Sequence, residues 1–400
     1  MRWIFTFDTA LRRTWNQRLT CWSLGCSDLC MLPLDQHFKA ERTPAPRVKQ
    51  IAAALAFLAI ATSHAADKKS ARKSEPAKQQ GNAESVPLPD YPRVDLAPRY
   101  EVVKGWPERP KDLERAAVPS IALDREGNIW IHTRANPMVQ VYAPDGKYLR
   151  GWKEEDARAV PHGIAFDADG NVWLVDVGLH NVRKFTPEGK LLLTLGVTGE
   201  AATDDRHFNR PTGIAFAPNG DIFIADGYGN SRVVHLDREG RYKNAWGTLG
   251  VEPGNFSIPH AIAIDSKGLI YVADRNNVRI QVFNADGKLL DVWSNLITPW
   301  GFFMTPQDEL WVCGSSPMGW SVDPKYPTAP LGCPPKDQML AKFNTSGKML
   351  ELHSFAKGDD AHERPGDLNW FHAVALDQAG NLFVGDIIGK RVQKFARKDR

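Results

Sequence analysis

No apolar run in the sequence is long enough to cross a membrane as a helix. The longest, Ile51 to Ala61, falls well short of the ~20 residues that a hydrocarbon layer of ~30 Å demands, so no stable membrane span is expected. Charge of one sign is also missing. Fifty Lys and Arg against forty-seven Asp and Glu leave a net charge of +3 with no basic stripe, which excludes a nucleic-acid footprint. Cysteine is scarce, with five in all. Three of them (Cys21, Cys26, Cys30) sit near the N-terminus in a spacing that lacks a fourth zinc ligand. The other two, Cys313 and Cys333, are too few for a disulfide scaffold, although in an oxidising compartment they could pair and close the loop between them.

What is present is a globular chain, 42% hydrophobic and 24% charged, behind an N-terminal region that reads as targeting. Arg47 and Lys49 precede the Ile51–Ala61 run, and Ser63 and Ala65 supply small residues at −3 and −1 of a cleavage point after Ala65, so 47–65 is expected to be a signal peptide. Residues 1–46 are expected to be a non-structural extension, and translation from Val48 would leave out residues 1–47. Residues 66–98 are rich in Lys, Ser, Glu, Gln and Pro and are expected to be a disordered linker. The mature protein is expected to be secreted or periplasmic, and a monomer.

From residue 99 onward the sequence repeats. Six segments align: Pro119–Ile131, Pro161–Asp176, Pro211–Asp226, Pro259–Asp274, Pro299–Gly314 and Phe371–Asp386. Each is a short apolar strand, an Asp/Asn/Gly turn and a second strand alternating large apolar residues. A third strand and a Gly-containing turn follow in most copies. Four antiparallel strands at a period near 40–50 residues, with one long insertion at 315–335, predict an all-β, six-bladed β-propeller over 99–400. The sixth copy carries only three strands, and residues 99–106 are expected to supply the fourth and close the ring. Turns of the Asp-Gly-Asn kind before strands that end in Asp, with Asn-x-Arg after them, resemble NHL repeats.

The residue after the proline, or its equivalent, that opens each blade is Ser120, His162, Thr212, His260, Trp300 and His372 in turn. Histidine thus falls in alternate blades. Rotation about the channel places three imidazoles ~120° apart at one height, which suits zinc held by three neutral nitrogens with a fourth position open. The six other histidines of the domain (His132, His180, His207, His235, His353, His362) do not share this position. A lone histidine there is more often simply packed; the shared register is what argues for a metal. After the second strand, Arg134 and Arg275 hold one alignment position and Tyr228 follows the third blade's equivalent. Guanidiniums pair with carboxylates, and a phenol flanked by cations can give up its proton and act as a base.

Several stretches together resemble the catalytic core of peptidyl-α-hydroxyglycine α-amidating lyase over about residues 115–395. They are Val160–Gly163, Asp169–His180, Arg210–Thr212, Asp226–Arg232, Gly254–His260 and Ala273–Gln281. The resemblance implies that His162, His260 and His372 hold zinc, that Tyr228 is the base, and that Arg134 and Arg275 bind or polarise a small-molecule or peptide substrate with a carboxylate. It implies cleavage of an α-hydroxyglycine carbinolamide to an amide and glyoxylate. Against the family pattern, Ala373 stands where an aspartate helps hold calcium, which puts a calcium ion in question. Trp370 replaces a pocket methionine, and Asn209, Gly229, Tyr271 and Val282 replace two disulfides. A non-enzymatic NHL propeller that binds a ligand or a protein is the alternative. A calcium-dependent hydrolase or lactonase would need acidic residues where the histidines stand.

Overall fold

The computed structural model describes residues 99–317, 335–359 and 362–398. The expected extension, signal peptide and linker, most of the 315–335 insertion, and Cys333 lie outside the described residues.

Six four-stranded antiparallel sheets form the blades of a β-propeller. The innermost strands are Ser120–Leu123, Pro161–Phe166, Gly213–Phe216, Pro259–Ile264, Thr298–Met304 and Phe371–Leu376, each neighbouring the next around the ring and the last returning to the first. Tyr100–Val102 adds to the last blade as its outer strand, with Tyr100 opposite Arg397 and Val102 opposite Phe395. The sheet edge left by three strands is thereby covered, as expected from the sequence. Trp106, from the same N-terminal segment, packs 5.1 Å from Phe383 of the sixth blade and 6.5 Å from Tyr142 of the first, sealing the seam.

The turn chemistry explains why each repeat folds locally. In the second blade Asp167 accepts the Asn171 N–H at 2.9 Å and the Trp173 indole N–H at 2.9 Å. Gly170 takes the φ of +84° that the turn requires. Asp124 does the same for Asn128 and Trp130 in the first blade. Second and third strands are apolar on both faces because each blade is sandwiched between two neighbours. Trp173 and Val175 of the second blade share a core with Ile222, Ile224 and Val234 of the third. Each such side chain contributes about 1.5–3 kcal/mol by leaving water. Among the described residues the helical structure is one 3₁₀ turn, Arg275–Asn277, and no helix is long and apolar enough to cross a membrane.

Where the resembled family carries disulfides, this chain packs side chains. Tyr271 and Val282 are cross-strand partners, and the Tyr271 hydroxyl donates to Asp265 at 3.0 Å. Asn209 lies so close to Gly229 that a Cβ there would meet it at 2.1 Å. Cys313 is buried within the second strand of the fifth blade, its sulfur 3.6 Å from the Gly301 carbonyl.

One register expectation is corrected. Ser120 pairs with His132, Gly163 with Val175 and Gly213 with Ala225, so Ser120 is the counterpart of the glycines. Pro119, rather than Ser120, is therefore the first blade's counterpart of His162. The first repeat is one residue shorter at this point, and an alignment anchored on the prolines misses the deletion.

Candidate metal centre

The three histidines lie where their strands bulge. Pro161 faces Asp176 and Gly163 faces Val175, so His162 is an extra residue between two paired positions. His372 is bulged in the same way between Phe371 and Ala373, and the fourth blade shifts register between Pro259 and Ile262. A bulge re-aims the side chain it carries, here toward the axis. All three histidines are buried, their candidate ligand nitrogens lie within 4.8 Å of one another, and the ring centroids are 4.8, 4.8 and 5.1 Å apart. With the residues that follow them they line an axial cavity of about 100 Å³.

Each ring is fixed by the next blade. His162 Nδ1 is 2.7 Å from the Thr212 carbonyl, His260 Nδ1 is 2.6 Å from that of Trp300, and His372 Nδ1 is 2.8 Å from that of Pro119. A carbonyl only accepts, so each Nδ1 carries the hydrogen and each Nε2 presents a lone pair. The acceptors are the register equivalents of the histidines in the odd blades. Burial, followed by the neighbouring His372 and the Arg134 charge, holds the His162 imidazole well below its ordinary pKa. Burial and Arg275 do the same for His260, and burial pushes His372 down to about 3. All three are neutral near pH 7.

Tyr228 projects between two of them, its hydroxyl 2.9 Å from His260 Nε2 and 3.1 Å from His162 Nε2. Its loop is set by close backbone approach. A Cβ on Gly227 would meet the Pro259 carbonyl at 2.0 Å, so only glycine passes there. Asp226, at the strand end, accepts the Asn209 N–H at 2.8 Å and Arg232 Nε at 3.0 Å. Arg275 is fully buried, its guanidinium 5.6 Å from the Tyr228 ring and 4.7 Å from the Trp300 ring. Arg134 stands exposed at the channel mouth, with Nε 3.4 Å from the Pro161 carbonyl. Trp370 is buried against Trp300 at 4.9 Å, and its ring is 6.4 Å from His372. Every residue singled out from the sequence for the site thus falls in one neighbourhood.

Three features went unnoticed in the sequence. Carbonyl acceptors carry no side-chain signal. Trp300 was visible as the fifth blade's register residue, yet its contacts with His260 (5.6 Å) and Arg275 were not inferable. Arg210, beside Pro211 and Thr212, places its guanidinium 5.4 Å from the Tyr228 ring.

The NHL repeat model matches residues 208–236 and 256–283. NHL repeat-containing protein 3 of Mus musculus is 32% identical over 319 residues, 74% of this chain and 84% of that protein. The protein of the same name from Homo sapiens is 34% identical over 215 residues, and the match spans 62% of its length. Peptidyl-alpha-hydroxyglycine alpha-amidating lyase 1 of Drosophila melanogaster is 30% identical over 221 residues, 52% of this chain and 38% of that protein. Among solved structures, a protein of unknown function from Bacteroides thetaiotaomicron superposes with a TM-score of 0.50 at 13% identity, covering 72% of each chain, a likeness of fold alone. On the register of its blades and the reach of the mouse match, the chain belongs to the family of NHL-repeat β-propeller proteins that includes NHL repeat-containing protein 3.

Proposed function

We propose that this propeller is a zinc-dependent carbon–nitrogen lyase that cleaves an α-hydroxyglycine-type carbinolamide into an amide and glyoxylate. The observation that carries the reading is a shortage of protons at the axis. Three Nε2 lone pairs face one another, and the single Tyr228 hydroxyl hydrogen can serve only one of the two nitrogens it approaches. A cation satisfies all three at once. Three neutral imidazoles, each oriented by a carbonyl behind it, are the donor set that zinc takes when one position is left for substrate.

Zinc held by His162, His260 and His372 would supply Lewis acidity to the substrate's hydroxyl oxygen. The chain's own groups do the rest. Tyr228 removes the proton from that hydroxyl, the C–O bond gains its second bond as the C–N bond breaks, and the proton passes to the departing amide nitrogen. An N-acyl-α-hydroxyglycine thereby gives a primary amide and glyoxylate, with atoms and charge balanced. Arg275, enclosed between Tyr228 and Trp300, keeps positive charge beside the phenol. Arg134, at the mouth, meets the substrate carboxylate. Ala373 offers no oxygen ligand, and calcium has no part in the reading. The protein is read as a monomer, exported to a secreted or periplasmic setting by the signal expected at 47–65.

The test is zinc stoichiometry on protein beginning at residue 66, followed by glyoxylate release from N-benzoyl-α-hydroxyglycine. About one zinc per chain and glyoxylate formation are expected. Folded protein that takes up no zinc would leave a binding propeller in place of an enzyme.

A further inference from the structure

The arginines of this fold divide into those that are bonded and those that are not. Arg232 pairs with Asp226 at 3.0 Å and donates to the carbonyls of Asp204 and His207. Arg279 pairs with Asp274 at 2.6 Å and donates to three carbonyls. Arg183 pairs with Glu154 at 2.6 Å, and Arg391 donates to the carbonyls of Arg364 and Asp367. These bonds tie strands to loops and give each guanidinium a carboxylate or carbonyl partner.

Arg210 does none of this. Its backbone is held firmly in the left-handed region at φ +61°, its N–H donating to His180 Nδ1 at 3.1 Å and its carbonyl accepting from Tyr228 at 3.2 Å. Among the described residues its half-buried side chain has neither a carboxylate nor a carbonyl partner, only the Tyr228 ring face at 5.4 Å. Arg134 likewise has no carboxylate partner among the described residues and only one long bond, to the Pro161 carbonyl. A guanidinium on a rigid backbone, stacked on a ring and with its N–H fork left to solvent, is set to take a bidentate contact from an arriving carboxylate. Of the three arginines beside Tyr228, Arg275 is already enclosed by Tyr228 and Trp300, which leaves Arg134 and Arg210 open to an incoming ligand.

We infer that Arg210 is a carboxylate-binding residue of the substrate site, forming with Arg134 the anion clamp at the channel mouth, while Arg275 serves Tyr228. This rests on the carboxylate-substrate reading above. Arg210 and Arg134 then set which substrates bind, and a ligand with a neutral group in place of its carboxylate loses that contact.

Hippurate, N-benzoylglycine, tests this without turnover because it has no hydroxyl to react; hippuramide is its neutral counterpart. Calorimetric titration of the zinc-loaded protein is expected to show about tenfold preference for hippurate over hippuramide. Arg210→Met should lose most of that preference with unchanged zinc content and circular dichroism. Arg210→Gln, which keeps length and polarity without charge, should behave alike and stands in if the methionine variant does not fold. Preference retained in a folded variant overturns the inference, as does a wild type that does not discriminate. Because no glyoxylate is measured, failure of this binding test and failure of the lyase reading are separate results.

Discussion

The even and the odd blades use one backbone position for opposite purposes. In the second, fourth and sixth blades the bulged position carries a histidine that points to the axis. In the first, third and fifth the equivalent position carries Pro119, Thr212 or Trp300, whose carbonyl fixes the neighbour's histidine. Six near-identical repeats thus give a three-fold cluster of histidines, and the blades without an axial histidine orient those with one. The even blades supply lone pairs and the odd blades determine which nitrogen presents one.

Breaking the even blades should have the largest effect. His260→Ala is expected to abolish stoichiometric zinc and with it glyoxylate release, while Thr212→Ala in an odd blade keeps the carbonyl and keeps zinc. Thr212 loses only its hydroxyl bonds, to the Pro259 carbonyl at 2.7 Å or the Ala225 carbonyl at 3.1 Å. That costs about 1 kcal/mol of stability, readable by denaturant melts. Equal zinc loss in both variants would dissolve the distinction between the two kinds of blade.

Tyr228→Phe comes next, since it spares both sets of blades and removes one oxygen between them. Zinc content should stay near that of the wild type, while kcat for glyoxylate release falls about 10²–10⁴-fold, the usual worth of a positioned acid–base group. A variant with full activity would mean that the hydroxyl only fills space between His162 and His260.

Gly227→Ala probes how the third blade delivers that tyrosine. The added methyl would stand 2.0 Å from the Pro259 carbonyl, with the Thr212 hydroxyl at 2.8 Å, so backbone has to move. A stability loss of about 1–3 kcal/mol is expected, with kcat falling alongside as Tyr228 shifts. Unchanged melting with unchanged kcat would show that the loop has slack.

How far the sequence carried the reading differs between backbone and side chain. Blade number, the closing strand at Tyr100–Val102 and the shared height of the histidines were legible, because Asp-Gly-Asn turns and alternating strands repeat at fixed spacing. The first-blade register was misread by one residue, because a bulge present in the second blade is missing there and proline anchoring hides it. Arg134, Arg275 and Tyr228 were legible as neighbours from their common loop position, but their unequal burial was not. Arg275 lies fully buried in a 3₁₀ turn while Arg134 is exposed, and nothing local to either arginine distinguishes them. Arg210 stayed hidden because its meaning is a missing partner, which only three dimensions can display.

The smallest effect on turnover is expected at Trp370. Trp370 packs edge-on against Trp300 at 4.9 Å, a contact worth about 0.5–1.5 kcal/mol beyond area. Among the described residues its buried indole N–H has no partner, which costs about 1–3 kcal/mol. Trp370→Met surrenders the first together with part of the buried indole area and relieves the second, so a net loss of about 1–2 kcal/mol is expected in denaturant melts. The change should also be seen in KM, which shifts with the size of the acyl group as the wall beside His372 becomes less bulky and more pliable, while kcat stays within a few-fold because neither Tyr228 nor any histidine loses a bond. A fall in kcat with KM unchanged would place Trp370 in the positioning of His372 rather than in the wall of the pocket.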